Sequence, residues 1–417
     1  MKSLKIYFCI AIFTTVAIFS TSCRKEMPVM GRPADFPHTL AGAFESFWTG
    51  MNNNYVFWGT DPTNWDDIYR RFQPKFAELD VNDSADIVVA FRHFTEMTKD
   101  LIDGHFVITI AERFRGILAD AGYRHFIFPH QARYLQRNDA RSRIPLDNFI
   151  QRQLPGIYLY NYTAKNSLSD GLSMIHGFVS NTAGKRISYF YISAFAIARN
   201  LGDTDVRDMI IKWFDAISDP NLDGVIIDLR GNGGGAVVDM DILWANLLMG
   251  REFKAGYRTQ KIGNGRLDFG PRIPHTFRLF EDFPRNENPN IANIPIVVLA
   301  DAHSASASEM STMALSHLPN VYFVGETTWG GQGNLIQEPT SIVLFNAGTF
   351  ANFFMDLVYT PFVIIDAPNG INYEGRGFSP NDAPRGFYIR HNAAFAANIA
   401  AGIDRQLEKA IEIITSR

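Results

Sequence analysis

Three serines, Ser304, Ser306 and Ser308, alternate with alanines between the apolar run Pro295–Ala300 and a helical pattern that opens at Glu309. A short run rich in Val and Ile suits a buried strand. A hydroxyl on the turn from such a strand into a helix projects from its surroundings, and the helix start behind it offers free backbone N–H groups and a positive dipole end. Acyl transfer needs both, an exposed nucleophile and donors for an oxyanion. The same string also reads as a serine-rich helix N-cap. Other motifs must separate the two readings.

A second motif, Gly224–Gly235, reads GVIIDLRGNGGG. An apolar strand ends at Asp228-Leu229-Arg230 and runs into a turn with four glycines. Glycines let backbone N–H groups converge on an anionic atom at close range. The turn has neither the Lys-Ser/Thr of a phosphate-binding P-loop nor the spacing of a dinucleotide fingerprint, which leaves an oxyanion cradle as the better reading. In the third motif, Leu101–Phe106 (LIDGHF), His105 follows an Asp-Gly turn where a helical region meets the first β-rich run, a place that can face a cleft. His303, three residues before Ser306, is a rival base, although its place in the turn suits a polar cap. The fourth motif, Asn372–Asp382, carries Glu374 in a glycine-bearing loop and on its own reads as a surface loop.

These motifs hang on an α/β pattern. Candidate strands from residue 187 onward are Ile187–Ile192, Gly224–Leu229, Ile294–Ala300, Val321–Val324 and Ile342–Phe345. Helical patterns lie between several of them at Thr204–Ile217, Val237–Leu248 and Glu309–Ser316. Strands alternating with helices call for a mostly parallel sheet with right-handed crossovers. Ala41–Leu101 reads as a small helical core with many aromatic anchors, including a helix over Ser84–Lys99 capped by Ser84. Shorter β-rich runs at Phe106–Ile110, Gly156–Tyr162 and Met174–Val179 suggest a β-containing insert.

The beginning of the chain reads as a targeting segment. Lys2 and Lys5 precede the largely apolar Ile6–Phe19, and small residues lead to Cys23. That pattern resembles a bacterial lipoprotein signal, with Cys23 the lipidated residue. Ser20 stands where such signals usually have Leu. The only other cysteine, Cys9, lies in the apolar segment, so the processed chain has no cysteine pair for a disulfide and its chemistry must use oxygen or nitrogen groups. With 39 basic and 43 acidic residues and no long run of either sign, the chain lacks the basic footprint of a nucleic-acid binder. No spacing indicates a metal site, such as HExxH, and no cofactor is expected. The expected organisation is a signal peptide over 1–22, a tether over 23–36, a helical domain over 37–105, a β-containing insert over 106–186 with no convincing PDZ module, and a catalytic core over 187–417.

Taken together, the SASASE string, the strand ending in DLRGNGGG, the downstream GETTWGGQG (Gly325–Gly333) and the two motifs holding His105 and Glu374 resemble the C-terminal processing (tail-specific) serine peptidases, especially the branch similar to the tricorn protease core. The resemblance implies a crotonase/ClpP-like fold and Ser306 as nucleophile. It further implies an oxyanion hole from the N–H of Ala307 and of Gly233 or Gly234. Many family members use a Ser–Lys dyad, but the aligned position here is Gly331, and no lysine occurs between Lys261 and Lys409. The tricorn-like branch instead implies His105 as general base and Glu374 as the third group. That branch has a serine just before the histidine, where this chain has Gly104.

The expected function is that of a lipid-anchored serine endopeptidase, periplasmic or at the cell surface, cutting extended or unfolded polypeptides through an acyl-enzyme. Its partners would be the polypeptide substrate and, through the lipid, a membrane. The rivals are a catalytically inactive peptide-, glycan- or lipid-binding lipoprotein on the same scaffold, and a crotonase-like enzyme acting on thioesters.

Overall fold

The computed structural model describes residues 36–130, 158–162, 172–179, 184–249, 253–279, 281, 283–333, 349–390, 398 and 403–417. Cys23, the signal and tether segments and the strand expected at Ile342–Phe345 lie outside them. Helices α1 (Leu40–Asn54), α2 (Trp65–Ala77) and α3 (Ser84–Thr98) come first. They meet through Phe44, Phe47, Trp65, Phe72, Phe76 and Phe94, and the rings of Phe76 and Phe94 lie 4.7 Å apart. The cap of α3 is Asp83 rather than Ser84: its carboxylate accepts the Ala85 N–H at 2.8 Å from the extended residue just outside the helix.

The chain continues through β1 (Val107–Ile110), α4 (Glu112–Asp120), β2 (Phe126–Ile127), β3 (Tyr158–Tyr162), β4 (Leu172–Phe178) and β5 (Ile187–Ile192). Next come α5 (Thr204–Ile217), β6 (Gly224–Asp228), β7 (Phe253–Gln260), β8 (Ile273–Phe277), β9 (Ile296–Ala300), α6 (Ala307–Ser316) and β10 (Val321–Gly325). The last elements are β11 (Thr349–Phe350), β12 (Met355–Tyr359), β13 (Val363–Asp366), β14 (Gly386–Tyr388) and α7 (Arg405–Thr415). The helix expected at Val237–Leu248 is broken by a π-helical turn over Asp241–Ala245.

The central sheet has seven strands in the order β14-β10-β9-β6-β5-β4-β3. Pairs from β14 to β5 are parallel, and β5-β4 and β4-β3 are antiparallel. Every residue of β5, β6, β9 and β10 is buried, as parallel strands covered on both faces require. Successive residues go to opposite faces. Val225 and Ile227 join a core with Trp213 and Phe214 of α5 and Met310 and Met313 of α6, whereas Ile226 packs with Leu407, Ala410 and Ile414 of α7.

The β-rich runs of residues 106–186 do not make a sheet of their own. β3 and β4 extend the central sheet, and β1 lies between β12 and β2 in a four-stranded sheet that packs on the helical region. A hairpin alone buries too little apolar surface, and here Leu172, Met174 and Ile175 are buried in the central cores. A consequence for function is that β6, β9 and β10 are neighbours whose carboxyl ends open side by side. There the glycine turn, the serine turn and the 326–333 segment all begin, at the edge of an open α/β sheet where ligands bind.

Arg230, at the end of β6, locks this edge to α7. Its guanidinium is buried, 2.6 Å from Asp228 Oδ2 and 2.8 Å from Asp404 Oδ2. Asp404 in turn caps α7 by accepting the Gln406 and Leu407 N–H groups. Removing the cation leaves two buried carboxylates facing each other without compensation. Arg230→Met is therefore expected to lower the unfolding free energy by about 3–5 kcal/mol in urea denaturation. A loss below about 1 kcal/mol, the value of an exposed pair, would contradict this role.

Candidate active site

The serine turn sorts its three hydroxyls. Ser304 is buried, its Oγ donating to Leu229 O and accepting from Asp301 N, each at 2.9 Å. Ser308 is also buried, inside the first turn of α6. Ser306 alone stays partly exposed, at the N-cap of α6 with φ 54° and ψ −125°. Positive φ is costly for a residue with a Cβ and persists only where the surroundings hold it. Two contacts hold it here: Ser306 N donates to Gly331 O at 2.8 Å, and Ser306 O accepts the Met310 N–H at 2.8 Å.

Opposite the serine lies the glycine turn. A Cβ on Gly234 would stand 2.6 Å from Ser306 Cβ and 3.0 Å from Ala307 N, and Gly234 has φ +99°, so only glycine fits. The two turns are joined by Asn232, which sequence reasoning missed: Ala305 N donates to its carbonyl at 3.1 Å, and its side chain reaches Ile192 O at 3.0 Å. The same side chain revises the expected donors. Gly234 N–H donates to Asn232 Oδ1 at 2.8 Å and is spent there. The N–H groups of Ala307 and Gly233 have no acceptor among the described residues. Gly233 is exposed, with open space around it.

His105 comes from the other half of the molecule, on the turn between α3 and β1. Its Nδ1 is buried without a hydrogen-bond partner among the described residues, and burial pushes the imidazole down to about 4, so the ring is neutral at neutral pH. Successive parts of this turn are held by different carboxylates. Ile102 N donates to Asp61 (3.0 Å), Gly104 N to Glu374 (2.9 Å) and His105 N to Asp103 (2.8 Å). Gly104 is packed too tightly for a side chain, since a Cβ would lie 2.7 Å from Gly330 O and 2.8 Å from Gly331 Cα. That is why no serine precedes this histidine. Gly331 is less tightly enclosed. A Cβ there would sit 3.0 Å from Trp329 Cδ1 and, at ordinary contact distance, 3.4 Å from His105 Nδ1 and Cε1. Gly331 thus touches both candidate partners, accepting the Ser306 N–H and lining the His105 ring.

Two buried glutamates fix this segment. Glu309, on α6, accepts the N–H groups of Gly330 (3.0 Å) and Gly331 (2.9 Å) and the Thr328 hydroxyl. Glu374 accepts those of Gln332 (2.8 Å) and Gly333 (3.0 Å) in addition to Gly104. Burial raises both carboxyls, Glu374 well above the usual carboxylate range, with the nearby Asp103 adding to the rise. Glu374 is therefore no surface carboxylate, and Glu309, which in the sequence marks only a helix start, is a buried clamp.

Asp103, His105 and Glu374 each bring one donor-type atom within 4.8 Å of the others. These are also metal-ligand types. Both carboxylates, however, already accept hydrogen bonds: Glu374 as above, and Asp103 from His105 N and from the Thr360 hydroxyl at 2.8 Å. The cluster reads as a hydrogen-bonded histidine site. His303 stays in the serine turn, its N–H donating to Asp301 Oδ1 at 2.9 Å.

A mostly parallel sheet that gathers a strained serine, a glycine turn and a buried histidine segment at one edge is an arrangement of the serine-hydrolase class. Residues 186–363 match the model of peptidase family S41. That match, over part of the chain, supports a serine-peptidase and hence hydrolase assignment. A nisin-resistance protein from Lactococcus lactis subsp. lactis is 30% identical over 116 residues, 26% of this chain and 34% of the relative, so the match spans about a third of that protein. Among solved structures, a candidate peptidase from Parabacteroides merdae superposes with a TM-score of 0.61 at 21% identity, covering 91% of this chain and 97% of the other. Mature CPAF superposes with a TM-score of 0.55 at 10% identity, covering 90% and 96%. These two likenesses concern the fold.

The geometry makes Gly234 a steric test of the serine turn. Gly234→Ala is expected to displace Ser306 and cut its labelling rate by a fluorophosphonate by about 10²-fold or more, with the far-UV circular dichroism unchanged. Labelling at the unaltered rate would mean the glycine turn does not set the position of Ser306.

Proposed function

We propose that the protein is a serine endopeptidase in which Ser306 is the nucleophile, His105 the general base and Glu374 the group that orients the histidine turn. The observation that carries the reading is the shared joint at Gly331, which hydrogen-bonds Ser306 and lies against the His105 ring. Ser306 Oγ gives its proton to the imidazole as it bonds to the substrate carbonyl carbon. The carbonyl oxygen takes the negative charge between the N–H groups of Ala307 and Gly233, at the positive end of α6. The C–N bond then breaks while the imidazolium returns the proton to the leaving amine. Water, deprotonated by His105, attacks the ester, and the acid leaves as Ser306 regains its hydrogen. No cofactor enters these steps.

Extended or unfolded polypeptide is the proposed substrate, since a serine at an open sheet edge must be reached by a chain that can lie along it. The lipoprotein-like start of the sequence supports a lipid-anchored enzyme on the periplasmic or outer side of a bacterial membrane. Among the described residues, no helix is long and apolar enough to cross a membrane. One observation favours the rival reading of an inactive binding protein: Glu374 already accepts three backbone N–H groups.

Hydrolysis of reduced, denatured casein by purified protein separates the two. Wild type is expected to cleave it, Ser306→Ala to lose all activity, and His105→Gln to lose about 10²–10⁴-fold in rate. Cleavage that survives Ser306→Ala would remove Ser306 as nucleophile. A wild type that binds casein without cutting it or reacting with fluorophosphonate would establish the binding protein.

A further inference from the structure

Asp103 is a second carboxylate at the histidine, and the peptidase reading gives it no task. It is fully buried, and both its oxygens are committed: Oδ1 accepts the His105 N–H at 2.8 Å and Oδ2 the Thr360 hydroxyl at 2.8 Å. Thr360 is itself buried and directly follows β12, the strand paired with β1. The carboxylate therefore joins the histidine turn to the segment after β12. One of its oxygens lies within 4.8 Å of a His105 ring nitrogen and of a Glu374 oxygen. The groups facing it are Asp61 and Tyr55 from the helical region, Tyr359 from β12, Glu374 from its loop and His105 itself. None of these but His105 can become a cation.

We propose that Asp103 is the positioning carboxylate of His105, clamping the histidine turn to Thr360 and, when ionised, supplying the negative charge that stabilises the imidazolium formed during acylation. This rests on His105 serving Ser306 as general base. Glu374 differs in kind. Its hydrogen bonds run to Gly104 and to the 332–333 amides, so it sets where the histidine turn sits relative to the serine turn, while Asp103 acts within the histidine turn.

The titration behaviour gives this a distinctive readout. Burial, with Asp61 adding to it, raises Asp103 to about 7, whereas burial holds His105 down at about 4. A rise in rate through neutral pH therefore follows loss of the Asp103 proton, because His105 is already neutral there. The sign is fixed: the anion favours imidazolium, so the rate is higher on the alkaline side.

The test is the second-order rate of Ser306 labelling by a fluorophosphonate in the full chain from pH 5 to 9. Wild type is expected to show a limb near neutrality. Asp103→Asn keeps an acceptor for His105 N–H but cannot ionise. It is expected to lose the limb and to react across the range at the wild type's low-pH rate, at least about tenfold below wild type at pH 8. Thr360→Val removes a hydrogen bond to the ionised form of Asp103, and not to Glu374. It is expected to move the limb to higher pH by about one unit. Should Asp103→Asn fail to fold, judged by its thermal melt, the Thr360→Val shift decides. A wild type without a limb, a limb that persists in folded Asp103→Asn, or one that stays in place in Thr360→Val overturns the role of Asp103 while Ser306 remains reactive. A wild type unlabelled at every pH overturns the general-base reading itself, and Asp103 with it.

Discussion

Four successive backbone N–H groups, those of Gly330, Gly331, Gln332 and Gly333, all donate to two buried carboxylates, Glu309 and Glu374. The rest of the site depends on this convergence. Burying a carboxylate is costly unless it is hydrogen-bonded, and a peptide segment with every N–H fixed has little freedom left. Each glutamate also reaches another element, Glu309 by its place on α6 and Glu374 through Gly104. The serine helix, the histidine turn and the segment between them are thereby held as one unit. The carbonyl of Gly331, at the middle of that segment, receives the Ser306 N–H and helps to hold the strained serine.

The same constraint explains the glycines at 104 and 331. Gly331 brings its backbone against the His105 ring, and Gly104 brings the histidine turn against the 330–331 backbone. The glycines that looked like losses in the sequence let the histidine turn and the 330–331 backbone come close together. Depression of the imidazole follows from burial, which keeps the ring neutral at neutral pH.

Much of the frame was legible in the sequence because strands buried on both faces show as apolar runs. Ile187–Ile192 and Thr204–Ile217 carry their observed ends, and β6, β9 and β10 differ from expectation by one or two residues. Alternating Ser and Ala marked the serine turn, although only packing separates the buried Ser304 and Ser308 from the partly exposed Ser306. Asp103, Asn232, Glu309 and Thr360 escaped notice for a common reason. Their partners lie mostly on remote segments, so a buried, saturated carboxylate or amide has the same letter as a solvated one. The glycine turn was legible as a turn, but not which of its N–H groups is engaged, since that depends on where the Asn232 side chain turns. The strand pairing of residues 106–186 was likewise hidden, because β1 finds its partner β12 more than two hundred residues away.

The central claim is that folding brings the His105 imidazole to the Ser306 hydroxyl. A crystal structure of the protein after reaction with a small fluorophosphonate tests it most directly. The account predicts phosphorus on Ser306 Oγ, the phosphonyl oxygen between the N–H groups of Ala307 and Gly233, and a His105 ring nitrogen within about 2.6–3.2 Å of the serine oxygen or of the oxygen replacing the leaving group. An adduct on another residue, or one on Ser306 with the imidazole turned away and out of hydrogen-bond reach, would contradict it.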